Sequence, residues 1–492
     1  MRIIVGKDII MKKRFLSVLL AALTLLSLAA CGETAETPDT TTAADSEIVT
    51  EAVTEFFPNV QKQDYKGASF RMIGIRDEGI WTYGEDPSAG NVNVLNDTLY
   101  EMNVLVEDHL GVSLEYEYVQ HVTGQSVIFN QVKPSVMAGD DTYQLCILPS
   151  YRNVASFVTQ DCVMDLYDLN DSIDLDQPYW NREVIESLMI GDHAYIATGD
   201  ICYYTVHPIY CNKDLLKQVG REVPYDKVRN GTWTLDEYLA LTTELYADNG
   251  DGVVNNLDTF GYASLCDTNF NSFMQASDIY VVTRHGDGSF EFSMYGEKLL
   301  NLYEKLFNWT KNESTYVWGW GDRENENVIV DFLDGRTYFT QDELGTRYLT
   351  ATFDMGILPL PKYDTAQASY SHVNWGDNIA VPNTVKNTKM VGEVLELLSF
   401  YSRTIVRPKF YDDVLELRVS NAPDDREMVE IIFNSIVFDP GIAYCDGSSQ
   451  LFALVYLPKE CILTGQENIS SYYQKNERAA EGYLTRKIYG KD

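Results

Sequence analysis

The chain has 492 residues, with 38 Lys plus Arg against 73 Asp plus Glu and a formal net charge of -35. Hydrophobic residues make up 45% and aromatics 12%, which is ample for a large core and excludes wholesale disorder. A chain this acidic repels polyanions, so nucleic-acid binding is excluded, and a single long apolar run excludes a multi-span membrane protein.

The first elements are a leader and a tether. From Met11, Lys12, Lys13 and Arg14 form a positive n-region and Phe15 to Leu26 a short apolar h-region. The run closes on Leu28-Ala29-Ala30-Cys31. This resembles the lipobox of bacterial lipoproteins, which implies a signal peptide over residues 1-30 and lipidation of Cys31. Stable membrane anchoring then needs no spanning helix. Residues 32-59 hold seven Thr, seven acids and no Lys or Arg, so residues 31-64 are predicted to be an unfolded tether. The other seven cysteines show no C-x-x-C spacing, and Cys146 and Cys211 sit in apolar runs that predict burial.

The body alternates strand and helix. Ser69 to Ile75 reads as a strand, Leu95 to Leu110 as an amphipathic helix stopped by Gly111, and Val112 to Tyr118 as a half-buried strand. Leu145 to Leu148 is apolar throughout, as a buried parallel strand requires. Ile209 to Cys211 is a strand followed by Asn212, an N-cap, and a helix closing at Gly220. Thr234 and Glu237 have capping-box spacing, with Trp233 and Tyr238 as a hydrophobic staple. Met390 to Tyr401 gives a further helix face. Strand and helix recurring over so long a stretch predict an α/β body of two or three units at ~150 residues each.

In chain order, Tyr210-Cys211-Asn212-Lys213-Asp214-Leu215-Leu216 and Gly231-Thr232-Trp233-Thr234-Leu235-Asp236-Glu237 are followed by Phe332-Leu333-Asp334-Gly335-Arg336-Thr337-Tyr338-Phe339. Asp354-Met355-Gly356-Ile357-Leu358-Pro359-Leu360-Pro361-Lys362 comes next, then Ile379-Ala380-Val381-Pro382-Asn383-Thr384 with Asn387. Together these resemble extracellular solute-binding proteins of bacterial ABC transporters, the carbohydrate type, over roughly residues 65 to 440. The resemblance implies a two-lobed periplasmic-binding-protein-like fold of type II, each lobe a sheet flanked by helices, with a solute held in the cleft between lobes. It implies lobe 1 over 65-200 plus 370-410 and lobe 2 over 201-369 plus 411-492. It further implies a monomer on the outer face of the cytoplasmic membrane that delivers a carbohydrate, an oligosaccharide by its aromatic supply, to ABC permease subunits and performs no chemistry on it.

Binding a sugar takes flat rings for its C–H faces and carboxylates, amides or Arg for its hydroxyls. The chain holds 33 Tyr and 7 Trp. Loops after strand ends, where open α/β sheets place ligands, nominate Arg76, Asp77, Tyr151, Arg152, Gln341 and Asp342. The proposed crossover nominates Asp200, Tyr203 and Tyr204. The Gly-interrupted stretch around Trp318 and Trp320, and Trp375 with Asp377 near the lobe boundary, complete the set. No cofactor is implied. Asn249, Asp251, Val253, Asn255 and Asp258 match positions of an EF-hand calcium loop. Position 1 would be Ala247, with Asp248 able to substitute by a shift of register, and position 12 is Asp258 in place of the longer bidentate Glu, so a plain Gly-rich turn is the better reading of the segment and calcium the weaker one. Nucleophile-elbow, H-E-x-x-H and phosphate-loop motifs are absent from the sequence. A surface glycan hydrolase or lyase, and a binder of peptide or another small solute, are the alternatives.

Overall fold

The computed structural model describes residues 58–75, 83–85, 94–120, 126–150, 154–202, 204–319, 321, 330–345, 350–410, 423–445, 447 and 449–490. The leader, Cys31 and all but the last residues of the tether lie outside them. The strands in chain order are β1 (Ala68–Ile75), β2 (Val112–Val119), β3 (Leu145–Pro149), β4 (Ile209–Asn212), β5 (Tyr246–Ala247), β6 (Thr259–Leu265) and β7 (Val282–Arg284). They continue with β8 (Phe290–Phe292), β9 (Thr315–Trp318), β10 (Thr337–Gln341), β11 (Met355–Leu358), β12 (His372–Val373), β13 (Asp377–Ala380) and β14 (Ile436–Val437).

One sheet runs β13-β3-β1-β2. β1 is parallel to β2 (Phe70 opposite Leu114) and to β3 (Met72 opposite Leu145), while β13 is antiparallel to β3 (Ile379 opposite Ile147). β3 is buried along its whole length, as an apolar run between two neighbours must be. Helix Thr388–Tyr401, which follows β13, buries Met390, Val391, Val394 and Leu398, and its first turn is capped by Asn387, which accepts from Met390 N. The buried Glu396 on that helix accepts from Tyr179 Oη, Trp180 Nε1 and Asp174 N, so one carboxylate ties residues more than 200 positions away.

The second sheet runs β11-β4-β10-β6-β5, with β9 also on β6. β10, β6 and β9 are parallel, whereas β4 is antiparallel to both β10 and β11. Asn212 ends β4 and caps the next helix by accepting from Leu215 N at 3.0 Å, as its position predicted. The predicted staple forms, Trp233 and Tyr238 meeting edge to face at 5.5 Å. The capping box does not: Thr234 makes no cap bond, and Glu237 pairs with Lys227 instead. An oppositely charged side chain within reach outcompetes the weaker bond to a backbone N–H.

Two stretches of chain pass between the sheets, and β14 lies beside them and bonds to one of them. β12 pairs with β14 in parallel, and Asn374 N continues the ladder to Val437 O at 2.9 Å. Trp375 N donates to Thr205 O (2.9 Å), while Asn374 Oδ1 accepts from both Thr205 N and Gly376 N (2.9 Å each). The joint is thus a small sheet closed by one buried amide.

All seven described cysteines are buried free thiols, and burial pushes the Cys202 thiol up to about 12.

His372, 1% exposed at the joint, accepts from Leu360 N through Nε2 (2.9 Å), leaving Nδ1–H to donate to Ser435 Oγ (2.8 Å). Burial pushes its pKa down to about 3. Its folded value lies below its unfolded value near 6.5, so its contribution to stability is present above pH 6.5 and is lost as pH falls toward 3. Burial raises the carboxyls of Glu396, Asp425 and Asp439, which act in the opposite sense. In His372→Gln those carboxylate effects cancel against the parent. The parent's stability relative to that variant should fall by about 1.4 kcal/mol per pH unit between roughly pH 6 and 4, measured by urea unfolding.

Candidate functional site at the joint

Asp377, the first residue of β13, pairs with Pro149, the last of β3. Ile209, the first residue of β4, pairs with Gln341, the last of β10. The chain crosses between the sheets just before Ile209 and just before Asp377. The C-terminal ends of β1 and β3 in one sheet, and of β10 in the other with its parallel neighbours β6 and β9, are therefore turned toward the same joint. Open α/β sheets bind ligands beyond such ends. Arg76, Asp77, Tyr151, Arg152, Tyr203 and Trp320 follow these ends or lie on the crossing, and all six are outside the described residues.

The described candidates separate into two groups. Asp200 and Tyr204 line a cavity of about 570 Å³ beside the crossing, together with Tyr179, Trp180, Arg403 and Arg407. Asp200 is held by Arg403 Nη1 at 2.9 Å and Arg407 Nε at 2.7 Å, and the Arg407 guanidinium lies 4.5 Å from the centre of the Tyr204 ring. A carboxylate between two guanidiniums is charge-assisted and geometrically fixed. It orders the crossing beside the cavity.

Three other candidates have buried side chains that meet protein partners. Gln341 is 1% exposed, and its amide donates to Asn269 O (2.7 Å) and His207 O (3.3 Å). Trp375 is 2% exposed, with its indole N–H on Ser272 Oγ at 2.9 Å and its ring 5.6 Å from that of Tyr456. Trp318 is 9% exposed and packs with Phe260, Ala263 and Val330. Their rings and amides are consumed by protein partners and build the floor behind the strand ends. Asp377 is buried at the head of β13, where its carbonyl accepts from Thr198 Oγ1. Asp342 opens the turn after β10 and accepts from Glu343 N.

The structure adds residues that sequence reading missed. His207 lies on the crossing, buried, with Nε2 3.1 Å from Thr268 Oγ1 and Nδ1 without a hydrogen-bond partner among the described residues. Burial pushes its pKa down to about 4, keeping it neutral. Ser150, at the end of β3, donates to Gly376 O and accepts from Asn378 Nδ2. Lys459, from a C-terminal helix, stands 3.5 Å from Asp267 beyond the end of β6 and 4.9 Å over the Tyr456 ring. Tyr456 is three residues from Lys459, but Asp267 and Thr268, the partners of Lys459 and His207, come from elements far away in the chain and nothing nearby in the sequence signals them.

The calcium-like loop lies elsewhere, between β5 and β6. The register-shifted Asp248 joins Asp251 and Asp258, whose carboxylate oxygens come within 4.8 Å of one another. Asn249 and Asn255 use their amide oxygens on Asp251 N and Leu257 N, and Asn255 Nδ2 donates to Asp251 Oδ2 and Val253 O. The predicted five-residue set is therefore knitted to itself. Asp258 is 0% exposed and accepts from Asn249 N, Asn255 N and Tyr246 Oη at 2.9 to 3.0 Å. Burial alone would raise its carboxyl, but these donors outweigh it and hold the group below the ordinary range. Asp258→Ala strands two backbone donors and should cost about 1–3 kcal/mol, read as a lower urea midpoint at unchanged slope.

No protein-family model and no curated protein matches the chain. Solved structures do. A cycloalternan complex of an ABC substrate-binding protein from Listeria monocytogenes has TM-score 0.55 at 14% identity, covering 85% of this chain and 99% of its own. A sugar transporter protein from Rhizobium etli, in an open conformation, has TM-score 0.57 at 13% identity, covering 84% and 99%. The sugar-binding protein MalE from Xanthomonas citri has TM-score 0.57 at 13% identity, covering 86% and 100%. The sheet orders, the joint and these alignments agree: the chain has the two-sheet fold of type II periplasmic binding proteins.

Proposed function

We propose that the protein is a lipid-anchored solute-binding protein that captures a carbohydrate between its two sheets by hinge closure and passes it unchanged to an ABC importer. The observation that carries this reading is the convergence of parallel-strand ends from both sheets on one hydrogen-bonded joint. A solute held there contacts both sides only when they approach, so binding shifts the population of approached states. The sugars named for proteins of this fold set the ligand class. Tyr151, Tyr203 and Trp320 supply stacking faces in this reading, with Arg76, Asp77 and Arg152 on the hydroxyl rim. Cys31 carries the lipid, and permease subunits are the partners.

Thermal unfolding against linear and cyclic gluco-oligosaccharides, other sugars and peptides tests the assignment. A sugar at about 100 times its Kd should add about 2.7 kcal/mol of stability. Chromatography of the same mixtures should show no product. Trp320→Ala should weaken the best sugar by about tenfold or more while leaving the ligand-free melting temperature within a degree or two. A peptide response with no sugar response, or turnover of a sugar, would overturn the reading.

A further inference from the structure

The cavity beside the crossing gathers groups that are scarce elsewhere in the chain. Its volume of about 570 Å³ lies within the range of small-ligand pockets, about 300–1,000 Å³. Tyr179, Trp180, Tyr204 and Phe433 give it aromatic walls. Tyr179 Oη and Trp180 Nε1 both donate to the buried Glu396, so their polar atoms are satisfied behind the wall and what they offer the cavity is ring.

Charge in the cavity runs against that of the chain. Arg182, Arg403 and Arg407 line it against Asp200 and Glu183, whereas the whole chain has 38 basic residues to 73 acidic ones. Arg182 is taken up by Asp176 and Glu186 at 2.7 Å each, and Arg407 Nε by Asp200. Arg403 spends only Nη1, on Asp200 Oδ2 at 2.9 Å and on Pro178 O at 2.8 Å. Its Nε and Nη2 have no partner among the described residues, and its side chain is 45% exposed. Those two nitrogens share one edge of the guanidinium, where their N–H bonds run parallel at the spacing of the two oxygens of a carboxylate. The chain uses the same edge elsewhere, Arg71 holding Glu115 through Nε and Nη2 at 3.0 and 2.8 Å. Amides complete the lining at Asn181, whose Oδ1 is spent on Val184 N, leaving Nδ2 for a ligand hydroxyl.

We propose that this cavity receives an acidic sugar unit, a hexuronate, with its carboxylate on the Nε–Nη2 edge of Arg403 and its C–H faces on the aromatic walls. The inference rests on the solute-binding reading and narrows it, from a carbohydrate to one that carries a carboxylate. A neutral sugar leaves the guanidinium edge to water. A phosphate, with its second charge, calls for a further cation, and Arg182 and Arg407 are each paired with acids already. A small acid without a ring leaves the aromatic walls unused. In a chain of net charge -35 an anion is repelled over most of the surface, so holding one takes cations gathered in one place, as they are here.

Thermal unfolding and calorimetry of the full-length protein test this, with glucuronate and galacturonate, free and as short oligomers, against glucose, acetate and inorganic phosphate. A uronate should raise the melting temperature where glucose, acetate and phosphate at the same concentration do not. Arg403→Gln should weaken its binding by about ten- to a hundredfold, and Arg403→Lys, which keeps the charge but loses the fork, should lie between. Glu183→Gln removes an exposed acid from the rim and should tighten binding by about twofold at low salt, a gain that shrinks as salt rises. Should Arg403→Gln fail to fold, because Arg403 also holds Asp200, the sign of the Glu183→Gln effect carries the test. Acetate or phosphate acting as strongly as a uronate shows a simple anion site and overturns the sugar assignment. An equal response to glucose overturns the role of the carboxylate, and uronate binding indifferent to Arg403 and Glu183 overturns the site. Neutral sugars that bind where uronates do not overturn this inference and leave the solute-binding reading standing, whereas failure of every sugar overturns both.

Discussion

Backbone at the joint has to be satisfied without water, and the rest of the molecule is arranged around that requirement. Two chain stretches cross between the two sheets with β14 beside them, and each of the three brings main-chain donors and acceptors into a buried place. β12 and β14 satisfy one pair of stretches, and the Asn374 amide satisfies the third by accepting from Thr205 and Gly376. A hydrophobic residue at 374 would have left two donors unpaired. The crossing is therefore a hydrogen-bonded unit, and what flexibility it has comes from small rotations within it.

Buried carboxylates repeat the same logic farther out. Glu396, Asp425 and Asp439 are costly to desolvate, and each collects several donors from distant parts of the chain. Asp425 takes Lys213 and Tyr225, which fastens helix Pro423–Asn434 to the second sheet just after the chain has crossed. Asp439 fastens the β7 hairpin to the segment that carries Tyr444. Such ties contribute little net stability by themselves, yet they fix which elements face one another.

Much of the local architecture is legible in the residues. β3 announces itself by unbroken apolar character, Gly111 by the positive φ its turn requires, and Asn212 and Asn387 by their places before amphipathic runs. These are short-range effects, decided by neighbours within a turn. The capping box at Thr234 failed because Lys227, seven residues earlier, folds back onto Glu237. The site was less legible. Gln341 and Trp375 carry the right chemistry at the right places in the strand order, but whether an amide or indole faces solvent depends on Asn269 and Ser272, which arrive from another element. The Lys459 and Asp267 pair is invisible in sequence for the same reason.

The buried thiols have a practical corollary. A cysteine whose sulfur is walled off and held protonated reacts with an alkylating reagent only when its surroundings open. Cys146 and Cys211 lie in the central strands of separate sheets, Cys202 on the crossing and Cys461 among the C-terminal helices. Their individual modification rates would form a ready-made set of local clocks, timing the transient melting of each region in an otherwise unaltered chain.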